Sequence, residues 1–313
     1  MDLDGPVHYL DFGGPRDGPV IVCVHGLGGS AVNWTAIGPL LASSYRVIAP
    51  DLAGHGLTQS GGRGADVSAN RVLLDRFITA TSDGPVILMG NSMGGMIAVL
   101  EATAAPDAVA GLILIDPALP LGTARPDPLV AAIFALFITP GLGRMAAARR
   151  RRVSPAELVA NTLAVCCVDV SRVGADIVAH HVELARQRSA FTNADRDFAA
   201  AVRSVLTTAG YTRGRAYRRG IRSITCPLLL VHGARDRLVP VAAARSAARA
   251  NPSWSLAVLP DVGHVPQLEA PQQTWRVITE WLESAGRPAA RAAARGAAGA
   301  ATPDAPADGP SLT

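Results

Sequence analysis

Lysine is missing from this chain: all 29 basic residues are arginine. With the abundance of alanine, we read that bias as composition, not mechanism. Charge is also scarce, at 17% of residues, below the usual quarter. Aromatic residues make up 4%. There are four cysteines, Cys23, Cys166, Cys167 and Cys226, and none shows a CxxC spacing. Neighbours such as Cys166 and Cys167 rarely bridge, so reduced thiols, and with them a cytoplasmic setting, are the expectation. Met1 to Gly5 carries two aspartates and no apolar run, unlike a signal peptide. The longest apolar run, Leu129 to Ile138, is too short to span a bilayer.

What is present is a core. Hydrophobic residues are 49% of 313, which excludes disorder for the chain as a whole. A mass of 32.3 kDa suits one large domain carrying an insertion. The net charge of +4 comes with no nucleic-acid-binding module, so no nucleic acid is expected as a partner. That charge is uneven: 117–222 holds 16 of the arginines and only 7 acidic residues.

Residues 1–118 read as alternating strands and helices. Strands are expected at Val7–Asp11, Val20–Val24, Tyr45–Ala49, Val86–Met89 and Gly111–Ile115. Helices are expected at Ala31–Ala42, Val67–Thr79 and Met93–Ala104. Continuous apolar strands alternating with helices indicate a parallel sheet covered on both faces. Prolines 117, 120, 126 and 128 then break the rhythm. Residues 119–222 read as an inserted helical unit, with helices near Leu129–Phe137, Pro155–Val165, Val173–Arg188 and Asp195–Thr208. The α/β pattern returns over 223–285, with strands at Leu228–Val231 and Ser255–Leu259 and helices at Val241–Ala250 and Pro271–Ser284. Residues 286–313 lack aromatics and read as a disordered tail, with at most transient helix over Ala289–Ala294.

The chemistry gathers at strand ends. Gly90-Asn91-Ser92-Met93-Gly94 fits G-x-S-x-G between an expected strand and an expected helix. A tight strand-to-helix turn pushes a serine out of the sheet plane, which demands small neighbours, and the helix N-terminus behind it favours negative charge. A serine hydroxyl is a weak nucleophile without a base and an orienting acid. His264, after Ser255–Leu259, supplies the first. Asp236, after Leu228–Val231, supplies the second. His25-Gly26-Leu27-Gly28-Gly29 ends the strand Val20–Val24 at the same edge. Its glycines let backbone N–H groups face a developing oxyanion, and we assign Leu27 N–H and Met93 N–H to that task. Asp116, ending Gly111–Ile115, is the rival acid position. His25, His55 and His232 read as loop braces, and His180 and His181 as residues of an inserted helix.

These motifs, with Trp34 and Asp51-Leu52-Ala53-Gly54-His55-Gly56, resemble the α/β-hydrolase fold superfamily, in its form with a helical cap, over roughly residues 7–284. The resemblance implies a mostly parallel central sheet flanked by helices, a cap over the catalytic edge, and no cofactor or metal. It implies a serine esterase or lipase-like enzyme working through an acyl-enzyme, and the apolar cap segment points to apolar, medium to long acyl or otherwise bulky esters. Serine at the nucleophile position argues against epoxide hydrolase or haloalkane dehalogenase chemistry, which would place aspartate there. The string from Asn91 to Gly95 is similar to that of C–C bond hydrolases of ring-fission products, although Val265 follows the histidine where they commonly have tryptophan. A C–C hydrolase is therefore the alternative, beside a non-catalytic small-ligand receptor on the same fold and an acyltransferase. Arg149–Arg152, close after the apolar Leu129–Leu142, suggest peripheral contact with anionic lipid. Nothing in the sequence marks an oligomeric state.

Overall fold

The computed structural model describes residues 1–121, 124–125, 127–139, 152–210 and 214–299. Its centre is a seven-stranded sheet. The strands are β1 (Tyr9–Gly13), β2 (Val20–Val24), β3 (Arg46–Pro50), β4 (Val86–Asn91), β5 (Val109–Ile115), β6 (Leu228–Gly233) and β7 (Ser255–Leu259). Their order is β1-β3-β2-β4-β5-β6-β7. Only β1 runs antiparallel, against β3.

The period-2 geometry of a strand sends successive side chains to opposite faces. In this sheet that sorting makes two cores. Val22, Leu88, Leu112, Leu114 and Leu230 join one apolar cluster. Their neighbours Ile21, Cys23, Ile87, Met89, Ile113 and Val231 join the other. Both faces are thus covered, as a parallel sheet requires.

Helices supply the cover. They are α1 (Gly38–Leu41), α2 (Val67–Thr81), α3 (Met93–Ala104), α4 (Pro128–Ile138), α5 (Pro155–Cys166), α6 (Ala175–Arg188), α7 (Ala194–Ala209), α8 (Arg215–Ser223), α9 (Val241–Ala250), α10 (Pro266–Glu269), α11 (Pro271–Glu283) and α12 (Arg287–Gly299). Local chemistry sets their starts. The Asp66 carboxylate accepts from the Ser68 and Ala69 amides at the head of α2. Ser154 and Glu157 form a reciprocal capping box at α5, with Pro155 in its first turn.

Three features differ from the sequence reading. The helix expected over Ala31–Ala42 is instead a 3₁₀ turn, Ala31–Trp34, followed by the short α1. Pro39 lacks an N–H and cannot sit inside a continuous helix, but it fits the first turn of α1. The structure also adds α8, a helix the sequence reading did not place; its Tyr217 and Ile221, with Ala201 of α7, lie in the first sheet core. The Tyr217 hydroxyl also donates to the Ala118 carbonyl at 3.2 Å. Finally, 286–313 is not disordered throughout. α12 is a helix whose Ala289 and Ala293 are buried in the second core. Residues 300–313 lie outside the described residues.

A third, smaller cluster joins α5 and α6 to the segment after β7. It contains Val159, Leu163, Cys167, Val173, Ile177, Val265 and Leu268.

Candidate active site

Ser92 occupies the turn between β4 and α3 at φ 54°, ψ −115°. A non-glycine residue there carries strain of about 1–3 kcal/mol. The surroundings explain how it persists. The Ser92 N–H donates to Ile115 O at 3.0 Å, and its carbonyl accepts from Ala118 N at 2.9 Å. A Cβ on Gly94 would stand 2.1 Å from Val24 O, and one on Gly90 2.5 Å from Gly94 O. Only glycine lets the turn close this tightly.

His264 and Asp236 meet. His264 Nδ1 lies 2.7 Å from Asp236 Oδ2. The other carboxylate oxygen accepts from Leu238 N at 2.7 Å and Val239 N at 3.0 Å. Burial pushes Asp236 upward, but the His264 charge and hydrogen bond outweigh it and hold the carboxyl below the ordinary carboxylate range. Nε2 is then the ring nitrogen that lies outside this pair. Ser92 Oγ and His264 are not hydrogen-bonded to each other in this structure. Such contacts often tighten only when substrate binds.

Asp116 and Asp236 lie together, not apart. Asp116 Oδ1 accepts from Gly233 N at 3.0 Å, and Oδ2 is buried with no partner. Carboxylate oxygens of both residues and a ring nitrogen of His264 fall within 4.8 Å of one another. Full burial, then the neighbouring Asp236, raises Asp116 well above the usual range. Two carboxylates this close disfavour ionising together, which acts in the same direction on Asp116. A group of this kind has the donors for a cation, yet both Asp236 oxygens are already engaged. His232 completes the cluster: its Nε2 donates to Val239 O at 2.8 Å, and burial holds the ring neutral.

The glycine loop packs against Ser92. A Cβ on Gly26 would lie 3.1 Å from Ser92 Cβ. His25 Nε2 accepts from Leu52 N at 3.0 Å, so its Nδ1 donates to Gly26 O at 2.8 Å. Among the described residues, no protein acceptor takes the Leu27 or Met93 N–H. Asp51 holds this edge together. Its oxygens accept from Ala31 N at 2.7 Å and Leu57 N at 2.8 Å, and one also meets His8 Nδ1 at 2.7 Å. His55 is pushed down to about 3, first by burial and then by His25. His181 Nδ1 faces the Ile177 carbonyl of its own helix at 2.8 Å.

The inserted helices grip these loops. Arg188, ending α6, donates to the carbonyls of Gly54 and Gly56. Asp197 accepts from the Ser60 hydroxyl at 2.7 Å. The Phe198 ring lies against Gly28, where a Cβ would approach to 3.0 Å.

One buried residue beside the serine has no counterpart in the sequence reading. Asn91 Nδ2 donates to Ile115 O at 3.0 Å and to His264 O at 3.1 Å. It ties the Ser92 turn to the loop that carries His264. Its position next to Ser92 was the only available signal.

A family model described as alpha/beta hydrolase fold matches residues 19–271. A pimeloyl-[acyl-carrier protein] methyl ester esterase of Aromatoleum aromaticum is 30% identical, over 81% of this chain and 94% of its own length. The acetyltransferase component of an acetoin cleaving system from Pseudomonas putida is 29% identical over 85% of this chain. This chain spans 64% of that protein's length. Among solved structures, a bacterial membrane phospholipase A superposes with a TM-score of 0.71 at 25% identity, covering 90% of this chain and 83% of the other.

Proposed function

The chain belongs to the α/β-hydrolase fold family, and we propose that within it the protein is a serine hydrolase of carboxylic esters. The observation that carries this is the 2.7 Å His264–Asp236 pair, joined through Asn91 to the turn where Ser92 is held at positive φ between strand and helix. His264 Nε2 takes the Ser92 proton as Oγ attacks the ester carbonyl carbon. The carbonyl oxygen becomes an oxyanion, which the Leu27 and Met93 N–H groups and the N-terminus of α3 stabilise. His264 then protonates the departing alkoxide, leaving an acyl group on Ser92. Water, deprotonated by the same imidazole, releases the acid and restores the serine. Asp236 keeps the ring in register and stabilises its charged form. No step calls for a cofactor.

We assign the acyl side of the site to apolar groups, because Phe198 borders the glycine loop and α4 carries no charged residue. An esterase relative that covers most of both chains supports the ester reading. A series of p-nitrophenyl esters from acetyl to palmitoyl tests it, with wild type beside Ser92→Ala. Steady turnover should fall about 10³-fold or more in the variant. Absence of turnover by folded wild type on every ester would move the reading to C–C cleavage of ring-fission dienones, which the Asn91-to-Gly95 string favours.

The same reading extends to where the substrate is met. No helix among the described residues is long and apolar enough to cross a membrane. Leu129 and Leu136 of α4 are exposed, at 54% and 42%. We propose peripheral contact with anionic lipid through this helix and the arginines that follow it. Arg149 to Arg151 lie outside the described residues. Wild type should co-sediment with phosphatidylglycerol vesicles more than a variant neutralised at Arg149–Arg152. Equal binding refutes the contact.

A further inference from the structure

The peptide that carries the base is held from both sides. On one side Asn91 donates to the His264 carbonyl. On the other, the His264 N–H donates to the carbonyl of Cys166, the last residue of α5, at 2.6 Å. The base is therefore bonded directly to the inserted helices.

Glu269 completes that attachment. Its side chain is fully buried. Oε2 accepts from Gly263 N at 2.7 Å, one residue before the base. Oε1 accepts from Val168 N at 2.8 Å and Asp169 N at 2.9 Å, in the turn that follows α5. Arg172 approaches the same Oε1 at 3.8 Å, and its guanidinium also holds Asp261 at 2.7 Å. One carboxylate thus satisfies three backbone donors from two segments about a hundred positions apart. Buried donors left unpaired cost about 1–3 kcal/mol each. Gly263 allows the approach: a Cβ there would lie 2.2 Å from Cys166 O. Val265 and Leu268, on either side of the link, share their apolar cluster with Leu163 and Cys167.

We propose that Glu269 is a positioning residue of the active site, fixing the His264 backbone to the 168–169 turn so that the inserted helices set where the base stands. It touches no substrate and transfers no proton. It acts by holding the imidazole against Asp236, where a displacement of about 1 Å can cost about a hundredfold in rate. The inference rests on His264 being the base of the ester reading, and its test has a readout independent of any ester.

The test compares Glu269→Ala and Glu269→Gln in the full chain. The first readout is the low-field proton resonance of His264 Nδ1–H shared with Asp236, assigned by its loss in His264→Ala. The second is the split of kcat from KM on the best p-nitrophenyl ester. Melting temperature reports folding of each variant. Glu269→Ala should broaden or shift the resonance and lower kcat about 10- to 100-fold. KM should stay within about threefold, since the substrate surface is untouched. Glu269→Gln, which keeps one oxygen and the shape, should recover part of both. A folded variant with wild-type resonance and wild-type kcat overturns the proposal. So does a change confined to KM. If Glu269→Ala fails to fold, the Gln variant decides by the same criteria. If wild type cleaves no ester, the ester reading fails and the resonance alone decides the positioning role.

Discussion

At the scale of single residues, two buried aspartates compete for one histidine. Asp236 holds the hydrogen bond to His264, while burial and the neighbouring Asp236 push the Asp116 carboxyl upward. Asp116→Asn, a near-isosteric change at a residue bonded to Gly233 N and not to His264, should leave kcat at pH 7 within about threefold. Asp236→Asn should lower it about 10³- to 10⁴-fold, as loss of the orienting acid does elsewhere. The opposite ranking in steady-state kinetics would make Asp116 the acid. The residues that meet here were legible in sequence because each follows an apolar strand at a turn rich in small residues. Asn91, Glu269 and the closeness of the two aspartates were not. They work through backbone groups far away along the chain: Asn91 and His264 are 173 positions apart. No local pattern records such a pairing.

At the scale of elements, strands β2 and β7 and helices α3 and α9 lie where apolar periodicity places them. Helix α12 was hidden for the converse reason. It offers no large apolar residue, and packs through alanine instead: a Cβ on Gly111 would stand 2.5 Å from the Ala289 Cβ. Small-against-small contact leaves no trace in hydropathy. The same close approach makes the glycines of the nucleophile turn unforgiving. Gly94→Ala should lose about 3 kcal/mol in urea unfolding, since its Cβ would meet the backbone oxygens of Val24 and His25. Gly62→Ala, with nothing within 4 Å of the added carbon, should change stability by less than about 1 kcal/mol. Similar losses at both sites would mean β2 and α3 separate freely.

At the scale of the whole molecule, stability depends on pH through groups remote from the site. Glu101 of α3 is buried beside Arg71, and burial, with Asp75 next, raises its carboxyl to about 7. The folded state therefore binds that proton more tightly than the unfolded chain. Its stabilising contribution is complete below about 4.5 and is lost as pH rises through about 7. Thermal melts of Glu101→Gln and wild type between pH 5 and 8 should show the variant gaining relative to wild type as pH rises. A constant difference would exclude the effect. The two sheet cores and the small third cluster have a further consequence, which concerns heat. The sheet is sealed by two extensive apolar layers, whereas α5 and α6 rest on a handful of side chains shared with Val265 and Leu268. Regions with few buried contacts open first. On heating, catalysis should disappear several degrees before the far-ultraviolet signal of the sheet. Cooling from that interval should restore it, so the protein would pass through an idle but still folded form.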